Sequence, residues 1–205
     1  MHNVLAREIL EQAMDYQAYK KLIEDLFSQG LVTGPQQSES LTNYTKMNLV
    51  RMKRLEKTTV VPEDIVKCTQ TLNRPVVFLT ITEGWCGDAA QIIPVVQKIC
   101  DTTPLLSMRF ILRDENPEIM DHYLTNGARS IPKIIGLDAE TLREYFVWGP
   151  RPEPAGKVRT DLIQQGASGK EVAEALHRWY AKDQSAAIFS EFEAILRALS
   201  AVPAE

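Results

Sequence analysis

One stretch, Pro75 to Ala90, constrains this chain more than any other. Val76, Val77, Phe78, Leu79 and Ile81 make a nearly continuous apolar run, rich in β-branched residues. A run of that length bounded by turn residues reads as a buried strand. It ends in a short Glu83-Gly84-Trp85 turn, Cys86 follows at once, and a helical pattern containing Pro94 begins. A cysteine there sits at a helix N-terminus, where unpaired backbone N–H groups and the helix dipole favour an anion. That is a setting in which a thiol loses its proton and becomes a nucleophile. A dithiol site would carry its second cysteine three residues on, and here that residue is Ala89.

At 205 residues the chain can bury one sizeable core and still carry extensions. Its formal charge of −4 and pI near 5.5 argue against nucleic acid or an anionic membrane as the main partner. No apolar run approaches the ~20 residues needed to span a bilayer. The first residues mix charges with apolar side chains, unlike the uninterrupted core of a signal peptide, so a cytoplasmic protein is expected. Cys68, Cys86 and Cys100 form a sparse, odd set that suits a reducing compartment better than a disulfide-stapled fold. The chain has no CxxC, and His2, His122 and His177 are scattered, so neither a metal nor a cofactor is expected.

Residues 3–29 carry Val4, Leu5, Ile9, Ala13, Tyr16, Tyr19, Ile23, Leu26 and Phe27 at helical steps, which predicts one amphipathic helix closed by Gly30. A polar loop over 33–40 follows, then a helix over 41–57. Its cations Lys46, Arg51, Lys53, Arg54 and Lys57 read as a solvated face in preference to a docking site for an acidic partner. From residue 58 strands and helices alternate. Pro62 opens a short helix, 76–82 is the first strand, 88–100 a helix kinked at Pro94, and 105–112 the second strand. Asn116 and Pro117 open a helix expected to end near Gly127. Segments 131–137 and 142–148 then form an antiparallel hairpin. Helices over 153–165, from Ser168 to about Lys182, and over 185–200 complete the chain. Ser168 and Glu171 have capping-box spacing. Two further patterns carry no chemistry: Gly166 to Lys170 lacks phosphate-loop glycine spacing, and Asp114 and Glu115 sit in a solvated loop.

This order of elements, with Trp85-Cys86-Gly87 at a helix start, Pro94 within that helix and Ser130-Ile131-Pro132 opening a hairpin, resembles the thioredoxin-like superfamily. The likeness covers residues 58–150. Its flanks, with the Trp85-Cys86-Gly87-Asp88-Ala89 sequence, are similar to a bacterial subgroup with long extensions. The resemblance implies an α/β thioredoxin-like fold: a central mixed sheet of about four strands flanked by helices. Residues 1–57 and 151–205 would be helical extensions. It also implies a cis peptide bond before Pro132, facing the reactive sulfur. Two departures matter. Ala89 stands where disulfide-reducing members keep a resolving thiol, and Thr80 stands where they keep a buried acid. Cys100 lies fourteen positions beyond Cys86. Along one helix that is ~21 Å, too far for a disulfide. Where Cys68 lies relative to Cys86 is left open.

The expected site therefore has Cys86 as its nucleophile, its acidity enhanced by the helix start and opposed by Glu83 and Asp88. Trp85, Gly87, Asp88, Ile131 and Pro132 are the substrate-facing residues. Asp88 is read as a helix-cap acceptor in preference to an acid or base, and Ile131 offers backbone groups to an extended substrate. Cys68 and Cys100 are read as core thiols. The implied activity is single-thiol exchange with protein or small-molecule thiols and disulfides, an external thiol releasing the mixed disulfide. Two alternatives remain: a redox-inactive thioredoxin-fold binding or scaffold module, and iron–sulfur binding by one cysteine per subunit with a small thiol.

Overall fold

The structure is a computed structural model that describes Leu5 and residues 7–202. Its centre is a four-stranded sheet of β1 (Val76–Thr82), β2 (Leu106–Leu112), β3 (Lys133–Asp138) and β4 (Glu144–Trp148) in the order β2-β1-β3-β4. β1 runs parallel to β2 and antiparallel to β3, which pairs antiparallel with β4. A parallel pair needs a crossover, and α5 (Gly87–Cys100) supplies it between β1 and β2. This is the mixed α/β, thioredoxin-like architecture expected from the sequence.

α5 runs unbroken through Pro94. Ile92, Ile93, Val95, Val96 and Ile99 are all fully buried along it. Each such side chain contributes roughly 1.5–3 kcal/mol relative to leaving it in water, so the helix carrying the cysteine is anchored along its length. One sheet face is closed by aromatics: Phe78 meets the ring of Phe146 edge-on, with centroids 5.3 Å apart, and packs at 6.0 Å against Phe192. Phe192 belongs to the last helix, α9 (Ala186–Ser200).

The remaining helices are α1 (Arg7–Gln12), α2 (Tyr16–Ser28), α3 (Glu39–Thr58), α4 (Glu63–Gln70), α6 (Pro117–Met120), α7 (Glu153–Gln164) and α8 (Gly169–Asp183). The long N-terminal helix expected over 3–29 is two helices; its first residues, Asn3 and Val4, lie outside the described set, as does His2. The break has a long-range cause. Met14 pairs with Phe110 through two backbone hydrogen bonds of 3.0 and 2.8 Å, adding a bridge at the free edge of β2. Asp15 then caps α2 by accepting from the Ala18 N–H. The helix expected from Asn116 to Gly127 is a single turn. The Asn116 side chain does not cap it; it donates instead to the Leu112 carbonyl. The capping box at Ser168 and Glu171 forms as its spacing implied.

The largest contact between helices joins α3 to α5. Asn48, wholly buried on α3, donates from Nδ2 to the Gly84 carbonyl and accepts from Arg51, fixing the turn that leads into the cysteine. No helix among the described residues is long and apolar enough to cross a membrane.

Candidate functional site

β1 delivers the chain into the turn, and Cys86 becomes the N-cap residue of α5. Its backbone N–H bonds to the Glu83 carbonyl at 3.1 Å. Its sulfur accepts the Ala89 N–H at 3.5 Å, so it takes the place a capping oxygen would fill. The thiol in turn donates to the Ile131 carbonyl at 3.4 Å. The Ile131–Pro132 peptide is cis, as is Gly149–Pro150 beside it. These two segments touch. Gly149 adopts φ +108°, and a Cβ there would fall 2.3 Å from the Pro132 carbonyl oxygen. Only glycine permits that approach.

The sulfur is covered. Cys86 is 8% exposed, and burial raises its pKa to about 12, with the charge of Asp88 adding to the rise. The amides of Ala89 and Asp88 and the Arg151 guanidinium oppose the shift without overcoming it. Desolvation in a dry site outweighs the helix-start effect. The thiol is therefore protonated at neutral pH, contrary to the ionised sulfur the helix-start position alone suggests.

Asp88 does not cap the helix, as its position in the first turn suggested. One carboxylate oxygen meets Arg151 at 2.6 and 3.2 Å, and the other accepts the Tyr180 hydroxyl at 2.8 Å. Arg151 lies just before α7 and Tyr180 on α8, so one side chain ties the start of α5 to two C-terminal elements. Burial and the neighbouring Asp88 raise the Tyr180 pKa, which keeps the phenol as the donor. Gly87 lies beneath α8. A Cβ there would meet His177 Cε1 at 3.2 Å and an Arg51 nitrogen at 3.9 Å. Burial and Arg51 lower the His177 pKa, leaving a neutral ring whose buried Nδ1 has no hydrogen-bond partner among the described residues. Sequence reasoning missed Arg51, Arg151, His177 and Tyr180. Arg151 sits in the proline-studded stretch Pro150-Arg151-Pro152, the only local signal that the backbone there is held in a set shape.

Trp85 packs against the preceding loop, its Nε1–H donating to the Thr33 carbonyl at 3.2 Å and Arg113 lying 4.8 Å above its ring. Thr33 also accepts the Gly84 N–H. Cys68, Cys86 and Cys100 are all buried free thiols. Among the described residues no group of three His, Cys, Asp or Glu is placed to hold a metal ion.

Glu83, with no solvent exposure, accepts the Asp114 N–H at 3.0 Å through Oε1. Its Oε2 lacks a well-formed hydrogen bond. Burial raises its pKa; Thr33 and the Asp114 amide oppose the rise and the Asp114 carboxylate adds to it. An acid favoured in its protonated form by folding adds most stability below its unfolded pKa of ~4.3, and that contribution is lost as pH rises through the folded value. Glu83→Gln is therefore expected to melt above the parent at pH ~8, with a smaller difference at pH ~4. Calorimetric melts at both pH values would show it, and a parent that melts higher at pH ~8 would contradict it.

The family model described as Thioredoxin matches residues 34–163, taking in α3 and most of α7 as well as the sheet. No curated protein matches the chain. Among solved structures, a protein of unknown function from Pseudomonas aeruginosa superposes with a TM-score of 0.53 at 15% identity, over 87% of this chain and 96% of that one. An HIV epitope scaffold superposes with a TM-score of 0.52 at 17% identity, over 85% of this chain and 94% of that one. At such identities these two likenesses speak for the fold alone. The family match spans more than half of the residues and is centred on the strand, turn and helix that hold Cys86, so the chain belongs to the thioredoxin family.

Proposed function

We propose that the protein carries out single-thiol disulfide exchange at Cys86, starting from a resting form in which the sulfur is protonated and covered. The observation that carries this reading is the position of Sγ, which caps α5 and lies against the Ile131 carbonyl beside the cis bond of Pro132. In exchange, the Cys86 thiol gives up its proton and its sulfur attacks one sulfur of a disulfide. A bond forms between Sγ and that sulfur, the original S–S bond breaks, and the departing thiolate takes a proton. Ala89 has no thiol to reverse the adduct from within. An external thiol must then attack the mixed disulfide, returning Cys86 to its reduced form and leaving with the bound group as a new disulfide. No net electrons are gained by the protein. This chemistry suits rearranging disulfides or removing small-thiol adducts better than net reduction.

In the resting form Ile131 already accepts the Cys86 thiol, and Gly87 and Asp88 lie under His177, Tyr180 and Arg151. The proposed substrate surface of Trp85, Gly87, Asp88, Ile131 and Pro132 thus requires α8 to move aside before a disulfide reaches the sulfur. The same cover favours a second reading, a redox-inactive binding module that keeps Cys86 as a buried packing residue.

Incubation with hydroxyethyl disulfide followed by peptide mass spectrometry separates the two. Exchange predicts a slowly formed adduct on Cys86 that added thiol removes and that Cys86→Ser lacks. An unmodified Cys86 in folded protein, with ready modification after denaturation, would establish the inactive module instead.

A further inference from the structure

A cavity of about 460 Å³ opens where the end of α3, the middle of α5 and the junction of α8 with α9 meet. That volume suits a small molecule. Arg54, Thr58, Gln91, Gln184, Ser185 and Phe189 are among its walls. Arg54, one of the cations read from sequence as a solvated helix face, lines this space, while Lys46 and Lys53 on the same helix are exposed away from it.

Two of the polar side chains in its walls are over nine-tenths buried and underused. Gln91 is 5% exposed, and among the described residues its side chain makes one hydrogen bond, a long one of 3.5 Å to Oε1 from Arg54, which leaves its Nε2–H groups without a partner there. Ser185 is 8% exposed and precedes α9, yet its side chain does not cap that helix and makes no hydrogen bond among the described residues. A ligand oxygen in the cavity would give both groups a partner in place of water. The backbone at this junction is itself unusual: Gln184 and Ser185 take φ +50° and +69°, consecutive left-handed residues without glycine. Strained backbone of that kind clusters at binding sites.

Each polar side chain available here can donate. A planar guanidinium, a primary amide, a hydroxyl and the N-terminal end of the fifteen-residue α9 converge on one space. Asp183 takes the Ala187 N–H at 3.1 Å, and the Tyr180 hydroxyl is committed to Asp88, whose charge Arg151 balances. Leu55, Val60 and Phe189 supply an apolar side. We propose that this cavity binds a small molecule through an oxyanion, a carboxylate or a phosphate, held by Arg54, Gln91 and Ser185, with a short carbon body against the apolar wall. The site stands independently of any reaction at Cys86.

Titration with succinate and, separately, with inorganic phosphate at constant ionic strength tests the proposal and identifies which oxyanion is preferred. Saturable binding is expected for at least one of them by calorimetry. Amide shifts should centre on the Gln91 side chain and on the backbone of residues 185–189. Arg54→Gln should weaken binding at least ~10-fold, the loss of a charge-assisted pair, while Lys46→Gln should leave it within about twofold. Both side chains are exposed on α3, and thermal melts of the two variants check that each keeps the fold. Absence of saturation with either anion, or equal weakening by the two substitutions, would overturn the assignment.

Discussion

Iodoacetamide applied to the folded protein at pH ~7.5 is expected to modify Cys86 about a hundredfold more slowly than in the denatured chain. The magnitude follows from two opposed effects. An ordinary cysteine ionises near pH ~8.5, so raising the value to about 12 cuts the thiolate fraction by roughly three thousandfold. A more basic thiolate is also more nucleophilic, and with a Brønsted coefficient of ~0.4–0.5 that returns about thirtyfold. Asp88→Asn should speed the folded-state reaction by ~10-fold or more, because it removes the charge that most raises the thiol after burial and leaves Arg151 unpaired nearby. Peptide mass spectrometry distinguishes Cys86 from Cys68 and Cys100. Modification of folded parent protein as fast as in denaturant would remove the basis for a covered, protonated sulfur.

Ala89→Cys, once reduced, is expected to reduce about one insulin disulfide per chain without added small thiol, its two thiols closing to a disulfide as they give up the two electrons. Residues three apart on a helix place their Cβ atoms ~5–6 Å apart, close enough for small adjustments to form a disulfide. The Ala89 N–H already points at the Cys86 sulfur. Ala89 is buried, so enlarging it should cost about 1–3 kcal/mol of stability. The oxidised variant should show one titratable thiol fewer than the parent, Cys68 and Cys100 being the two that remain. Protein that folds yet keeps both thiols free after oxidation would mean that this turn does not bring the two positions together as a family site does.

The parts of the fold that were legible in the sequence are those whose signals are local. The run from Val76 to Thr82 could only be an interior strand, Cys86 stood where that strand meets a helix, and Ser168 and Glu171 announced the start of α8. What failed was decided at a distance. The apolar periodicity of residues 3–29 is continuous, but the Met14 backbone pairs with Phe110 instead of continuing a helix, and the helix divides there. Asn116 and Pro117 carry a helix-start pattern, but Asn116 spends its side chain on Leu112 and the segment stops after one turn.

The site divides along the same line. Its sulfur was visible in the sequence. The partners that set its chemistry were not, because Arg151 lies 63 residues and Tyr180 92 residues from the Asp88 they hold. A charged residue in the first helical turn reads as a cap when its neighbours in space are unknown. Cys86 itself takes that place. The sequence also could not show that residues of α3 and α8 lie over the N-terminus of α5, and that cover is what turns an activating position into a quiet one.

The double attachment of Asp88 concentrates two fastenings on one side chain. A single substitution there would unfasten two separate stretches of the C-terminal third from the helix that carries the cysteine.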